Sequence, residues 1–197
     1  MRHLTILFCT LFFISCKSKT AGEAEPGEKR LMLPPAPTSV ATVKQWITDK
    51  NFVTIKAGLI NEPGKGIPYE FVEETDTSAF ASAFLEKEMS FKLYCNRDST
   101  GVLFYGKLPS FDSTGKSIYI PDLADMIYQV EEVKPDILLR VTEERRNNFD
   151  GRMEKLGSIY KVLGADEKSL LLEAPRSYLD KPVVVLMEVR EKNLNDK

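Results

Sequence analysis

Ten short segments between residues 52 and 191 share one character: "FVTIKAGLI", "YEFVEE", "SFKLYCN", "GVLFYGKL", "SIYIPD", "DMIYQVEEV", "ILLRVTEE", "KLGSIYKVLG", "KSLLLEAP" and "PVVVLMEVRE". Each is rich in β-branched or aromatic residues and is bounded by turn-forming residues, the pattern of a β-strand. Many short strands at close, regular spacing restrict a chain to a sandwich or a barrel. The gaps are short enough for neighbours to pair as antiparallel hairpins. "RDSTG" (97–101) and "ADEK" (165–168) are predicted hairpin turns, since Asp, Ser, Thr and Gly satisfy tight-turn geometry. In the last segment Val183, Val185, Met187 and Val189 fall on one face, with Glu188 and Arg190 on the other.

Two stretches read as helices. In "TSVATVKQWITDK", Thr38 or Ser39 can cap a helix, and Val40, Val43, Trp46 and Ile47 form one apolar stripe. Trp46, the only tryptophan, is expected to cover one end of a core. In "DTSAFASAFLEKE", Asp76 is the expected N-cap of a helical insert, with Phe80 and Phe84 one turn apart.

The beginning of the chain carries a different message. Met1–His3 is short and basic, Leu4–Ile14 is almost wholly apolar, and Ser15 precedes Cys16. The apolar run is too short for a membrane-spanning helix, which needs about 20 residues, but suits the core of a secretory leader. These residues resemble a bacterial lipoprotein signal peptide, in the looser form usual in Bacteroidota lipoproteins, with Phe13 where leucine is common. The resemblance implies cleavage after Ser15 and acylation of Cys16. Lys17 then implies the outer membrane, on either its periplasmic or its cell-surface side. Residues 16–37 are polar and then proline-rich, a lipidated, disordered tether. The expected organisation is residues 1–15 as signal peptide, 16–37 as tether, 38–192 as a β domain and 193–197 as a flexible tail.

Composition narrows the chemistry. His3 is the only histidine, and with the leader removed, as the resemblance implies, it would be gone. A mature chain without histidine has lost the commonest general base near neutral pH. It also lacks every Ser-His or Cys-His nucleophile pair and any zinc site of the His3 or His2Glu kind. On the same resemblance Cys9 would leave as well and Cys16 would be lipidated, so Cys95 would have no intrachain partner. Within "FKLYCN" it reads as a small buried apolar residue. The formal charge of −2 is no footprint for nucleic acid. "SIYK" (158–161) matches the S-x-x-K of acylating serine enzymes, but it lies in an alternating strand without the companion motifs. The paired acids Glu73–Glu74, Glu131–Glu132 and Glu143–Glu144 point to opposite faces of a strand and read as solvated edges.

The helix ending "QWITDK", the strand "NFVTIKAG", the hairpin "FKLYCNRDSTGVLFYG" and the closing pair "SIYKVLGADEKSLLLEAP…PVVVLMEVRE" resemble the lipocalin-like domains of Bacteroidota lipoproteins. Phe52 stands where such domains usually carry tryptophan, and the G-x-W signature of true lipocalins is missing. The resemblance implies a mainly β fold: an antiparallel barrel, closed or partly open, of about 8–10 strands with a short N-terminal helix and one helical insert. It implies a non-enzymatic, cofactor-free and metal-free protein that binds a small hydrophobic ligand. Phe91, Phe104, Tyr119, Tyr128 and Tyr160 are the candidate lining, with Arg140 giving orientation. The alternative is an assembly lipoprotein whose β domain is packed solid and binds an envelope protein through loop 143–152 and an edge strand at 182–191. A cavity of about 300 Å³ or more separates the two.

Overall fold

A computed structural model describes residues 31–64, 68–146 and 151–190. The expected signal peptide, Cys16, most of the expected tether, residues 147–150 of the loop 143–152 and the expected C-terminal tail lie outside the described residues.

Helix α1 (Val40–Ile47) is capped by Ser39, whose hydroxyl accepts from Thr42 N, and its Val43 and Ile47 are buried. There follow β1 (Lys50–Ile60), β2 (Tyr69–Phe71), α2 (Ala79–Met89), β3 (Lys92–Cys95), β4 (Thr100–Phe111) and β5 (Ser117–Val133). The chain continues with β6 (Asp136–Arg146), β7 (Met153–Ala165), β8 (Ser169–Tyr178) and β9 (Lys181–Val189). Neighbours pair antiparallel in the order β2-β1-β3-β4-β5-β6-β7-β8-β9, and β9 returns to pair with β1. Since β2 pairs with β1 alone, eight strands close into a barrel and the ninth lies outside. This is the antiparallel barrel expected from the strand pattern, with the architecture of a lipocalin-like domain.

Four details correct the sequence reading. The segment 182–191 is no edge: β9 is bonded on one side to β8 and on the other to β1, with Phe52 opposite Val189 and Leu59 opposite Val183. Closure of the barrel removes the edge. "SIYIPD" and "DMIYQVEEV" form one continuous strand, β5. Only Tyr69–Phe71 of "YEFVEE" is a strand. The helical insert starts later than expected, with Ser78 as its N-cap; Asp76 instead accepts from Ser78 N in the preceding turn.

Side-chain alternation decides what fills the barrel. Inward stand Leu93, Leu103, Met126, Val130, Leu139, Val141, Val162, Leu170, Leu172, Val185 and Met187, all buried in one cluster with Phe52. A bulge between Thr54 and Lys56 moves the inward positions of β1 from Phe52 and Thr54 to Ala57 and Leu59. The buried Thr54 hydroxyl donates to Phe91 O at 2.8 Å, which satisfies a polar group that an apolar interior would otherwise penalise. A second, smaller cluster lies on the outer face, where Leu171, Val184 and Leu186 pack with Ile55, Tyr69 and Phe71. Strand β2 is therefore the cover of an outer apolar patch.

The two ends of the barrel differ. Turns 96–99, 134–135 and 166–168 lie at the end that α1 closes with Val43 and Ile47. The chain entering α1 also meets the barrel there: Ala165 N donates to Pro35 O at 3.0 Å. Pro34 lies so close that a Cβ on Gly164 would come 2.5 Å from its carbonyl oxygen, so only glycine fits. The opposite end carries α2, which covers it in part.

Candidate functional site

At the α2 end the inward rows of the strands change from apolar to polar. On β6 the row Leu139, Val141 continues to Glu143 and Arg145; on β8 the row Leu170, Leu172, Ala174 continues to Arg176 and Tyr178. The interior is packed below this level and hollow above it. The hollow is a cup of about 460 Å³ lined by Phe91, Tyr105, Asp122, Glu143, Arg145, Leu156, Ser158, Tyr160, Arg176 and Lys87. Its size is in the range of small-molecule sites.

The floor is aromatic. Phe91 and Tyr160 stack with ring centres 5.8 Å apart and planes 16° apart, and Tyr105 leans on Phe91 at 5.8 Å. The wall is a charged relay. Tyr105 Oη donates to Glu143 Oε2 at 3.1 Å, Arg145 Nε donates to the same oxygen at 2.9 Å, and Arg145 reaches Asp122 at 3.6 Å. The Arg145 guanidinium also lies 4.2 Å from the centre of the Tyr105 ring, a cation–π contact. On the α2 side, Arg176 is bonded to Glu88, which is wholly buried. Phe80 and Phe84 of α2 pack against Tyr178, so both the ion pair and the rings hold the helix over the mouth. Beside the cup, between α2 and the β4–β5 hairpin, runs a shallower groove of about 580 Å³ that shares Lys87 and Tyr105 with it.

Of the six candidate lining residues, Phe91 and Tyr160 lie in the cup. Tyr128 also points inward, but at the closed end, where its hydroxyl donates to Asn96 O at 2.7 Å. Phe104 faces outward, because its neighbour Leu103 takes the inward position; the Lys92 ammonium sits 4.8 Å from its ring centre. Tyr119 lies beyond the barrel on the projecting β4–β5 hairpin, beside the groove. Arg140 faces outward and binds Glu131 at 2.6 Å. Of the residues missed, Glu143 and Arg145 continue the two-residue alternation of β6, and Arg176 keeps the same spacing on β8 across the irregularity between Glu173 and Ser177, but nothing local distinguishes them from solvated strand ends.

Among the described residues no group of three or more His, Cys, Asp or Glu is placed to hold a metal ion. Burial pushes the Tyr160 phenol up to about 12 from its usual 10.0, raises that of Tyr105 as well, and pushes the Cys95 thiol up to about 12 from 9.0. The folded chain holds these protons more tightly than the unfolded one, so their contribution is whole below the unfolded values and is lost as pH rises toward 12. The urea midpoint of a Cys16→Ser variant is expected to fall progressively above about pH 9, and a thiol reagent should leave Cys95 unmodified until urea unfolds the barrel. Rapid native labelling would mean that the closed end opens.

No family model, no curated protein and no solved structure matches this chain.

Proposed function

We propose that this is a lipid-anchored, non-enzymatic protein of the outer membrane that holds a small amphipathic molecule in the mouth of its barrel. The observation that carries the reading is the cup: an aromatic floor beneath a charged wall, within an otherwise filled interior. A purely apolar guest would strip water from Glu143, Arg145 and Asp122 without replacing it, which is costly. A ring or short acyl group on Phe91 and Tyr160, with an oxygen-bearing group toward Arg145 and Arg176, meets both halves of the lining. The leader, with Cys16 as the acylated residue, supports the address, and the histidine-free mature composition supports binding over catalysis.

Native mass spectrometry of the mature chain, purified gently from its own envelope, tests this. The wild-type chain should carry a reproducible adduct. Ser158→Trp, which fills the cup from the wall without removing a core contact, should lose it while unfolding at an unchanged urea concentration. A clean apo mass from the wild type would favour the assembly reading, to which the filled lower interior lends support. Failure of the chain to take up labelled palmitate would remove the address.

A further inference from the structure

Beyond residue 106 the β4–β5 hairpin leaves the barrel. Lys107 to Phe111 pair only with Ser117 to Pro121 among the described residues, since β3 reaches β4 no further than Phe104 and β6 joins β5 only from Asp125. Opposed residues of an antiparallel pair share a face. Leu108 stands opposite Ile120 and Ser110 opposite Ile118 on one face; Pro109 stands opposite Tyr119 and Phe111 opposite Ser117 on the other. The hairpin is thus apolar on both sides, and Phe111 and Tyr119 are 74% and 69% exposed. Leu123 and Met153, also exposed, stand at the same end of the barrel.

We propose that this hairpin docks on a lipid surface and seats the cup-bearing end of the barrel against it. Three observations select lipid over protein. Apolar side chains on both faces suit a medium that closes around the ribbon, whereas a folded partner covers one face. Pro109 and Pro121, one in each strand, each lack the N–H that an added strand would need, so strand addition from another chain is disfavoured. Lys107 and Lys116 outnumber Asp112, which suits anionic headgroups, and a tyrosine and a phenylalanine among lysines is the composition of an interfacial anchor. The lipid on Cys16 does not prevent the contact. From Cys16 to Leu33 the chain can span at most about 60 Å, while β5, which runs from the closed end into the hairpin, is about 56 Å along its strand at most. That reach rests on the anchor proposed above; the docking itself does not.

Flotation with vesicles of phosphatidylethanolamine and phosphatidylglycerol tests the docking apart from the anchor. The protein is the mature chain with Cys16→Ser, so that no acyl chain contributes. It should float with the vesicles, and Phe111→Glu with Tyr119→Glu should lower the bound fraction about tenfold. Phe111→Leu should retain binding. Both replaced residues are exposed, and an unchanged circular dichroism spectrum confirms the fold. Absence of flotation, or flotation indifferent to the double substitution, overturns the proposal. So does a concentration-dependent dimer that the same substitutions abolish, which would assign the hairpin to a second copy of the chain.

Discussion

Replacing Phe52 by alanine lowers the unfolding free energy by about 3–5 kcal/mol, the cost of deleting a buried aromatic ring and leaving the space unfilled. Phe52 is fully buried and belongs to the central cluster. It stands where three strands meet, opposite Leu93 on β3 and Val189 on β9. The strands fix the backbone around it by hydrogen bonds on both sides, so the site has little freedom to collapse onto a cavity. For a chain of this size the loss corresponds to a fall in Tm of about 10 °C. Phe104→Ala is the matched control: it also deletes a ring from a strand, but from the outer face, where the ring is half-buried under the Lys92 ammonium, and a smaller loss of about 1 kcal/mol is expected. Urea titration of the two variants settles the point. Equal losses would mean that the inward and outward rows of β1 or β4 have been exchanged.

Glu88→Ala should cost about 3 kcal/mol, the lower end of the range for breaking a buried ion pair. Glu88 has no exposed surface, and Arg176 keeps 29% of its side chain in contact with solvent, which softens the loss. Removal of the carboxylate leaves the guanidinium without its ion-pair partner beneath α2. The double variant Glu88→Leu/Arg176→Met should recover most of the stability, because an apolar pair of similar volume often replaces a buried ion pair without loss. The cycle separates the ion pair from simple packing of α2. A change below about 0.5 kcal/mol in Glu88→Ala would mean that α2 does not lie over the mouth.

The barrel was legible in the sequence because its signals are local. Strand alternation, the turns at 97–101 and 165–168 with one aspartate each, and the Ser39 cap each depend on residues a few positions apart. What was illegible depends on distance. Nothing near Val184 and Leu186 says that Tyr69 and Phe71 will cover them, so the run Val183–Met187 reads as an edge strand when it is buried on both faces. Phe104 and Leu103 are equally apolar, and only the register with β3 and β5 decides that leucine turns inward. The cup was missed for a related reason. Glu143, Arg145 and Arg176 look like the solvated ends of strands, and they become a wall only when five strands and a helix are brought to one end of the barrel. The hydrogen bond from Tyr105 to Glu143 joins residues 38 positions apart, and the Glu88–Arg176 pair joins residues 88 apart.

The pairing of β1 with β9 also sets an order of events. Asn51 O accepts from Arg190 N, so the first strand of the barrel waits for the last. A chain that emerges from the ribosome or a translocon N-terminus first can form its hairpins one after another, each from neighbours already released. It cannot close the ring until nearly every residue is out. Until then β1 and β8 both present unpaired edges, and Phe52 has no β9 beside it. Such contacts between remote parts of the sequence make folding slow, and the interval before closure is when the nascent protein most needs a chaperone. Truncation before β9 would leave an open, sticky sheet, whereas loss of the residues after Arg190 would leave the ring closed.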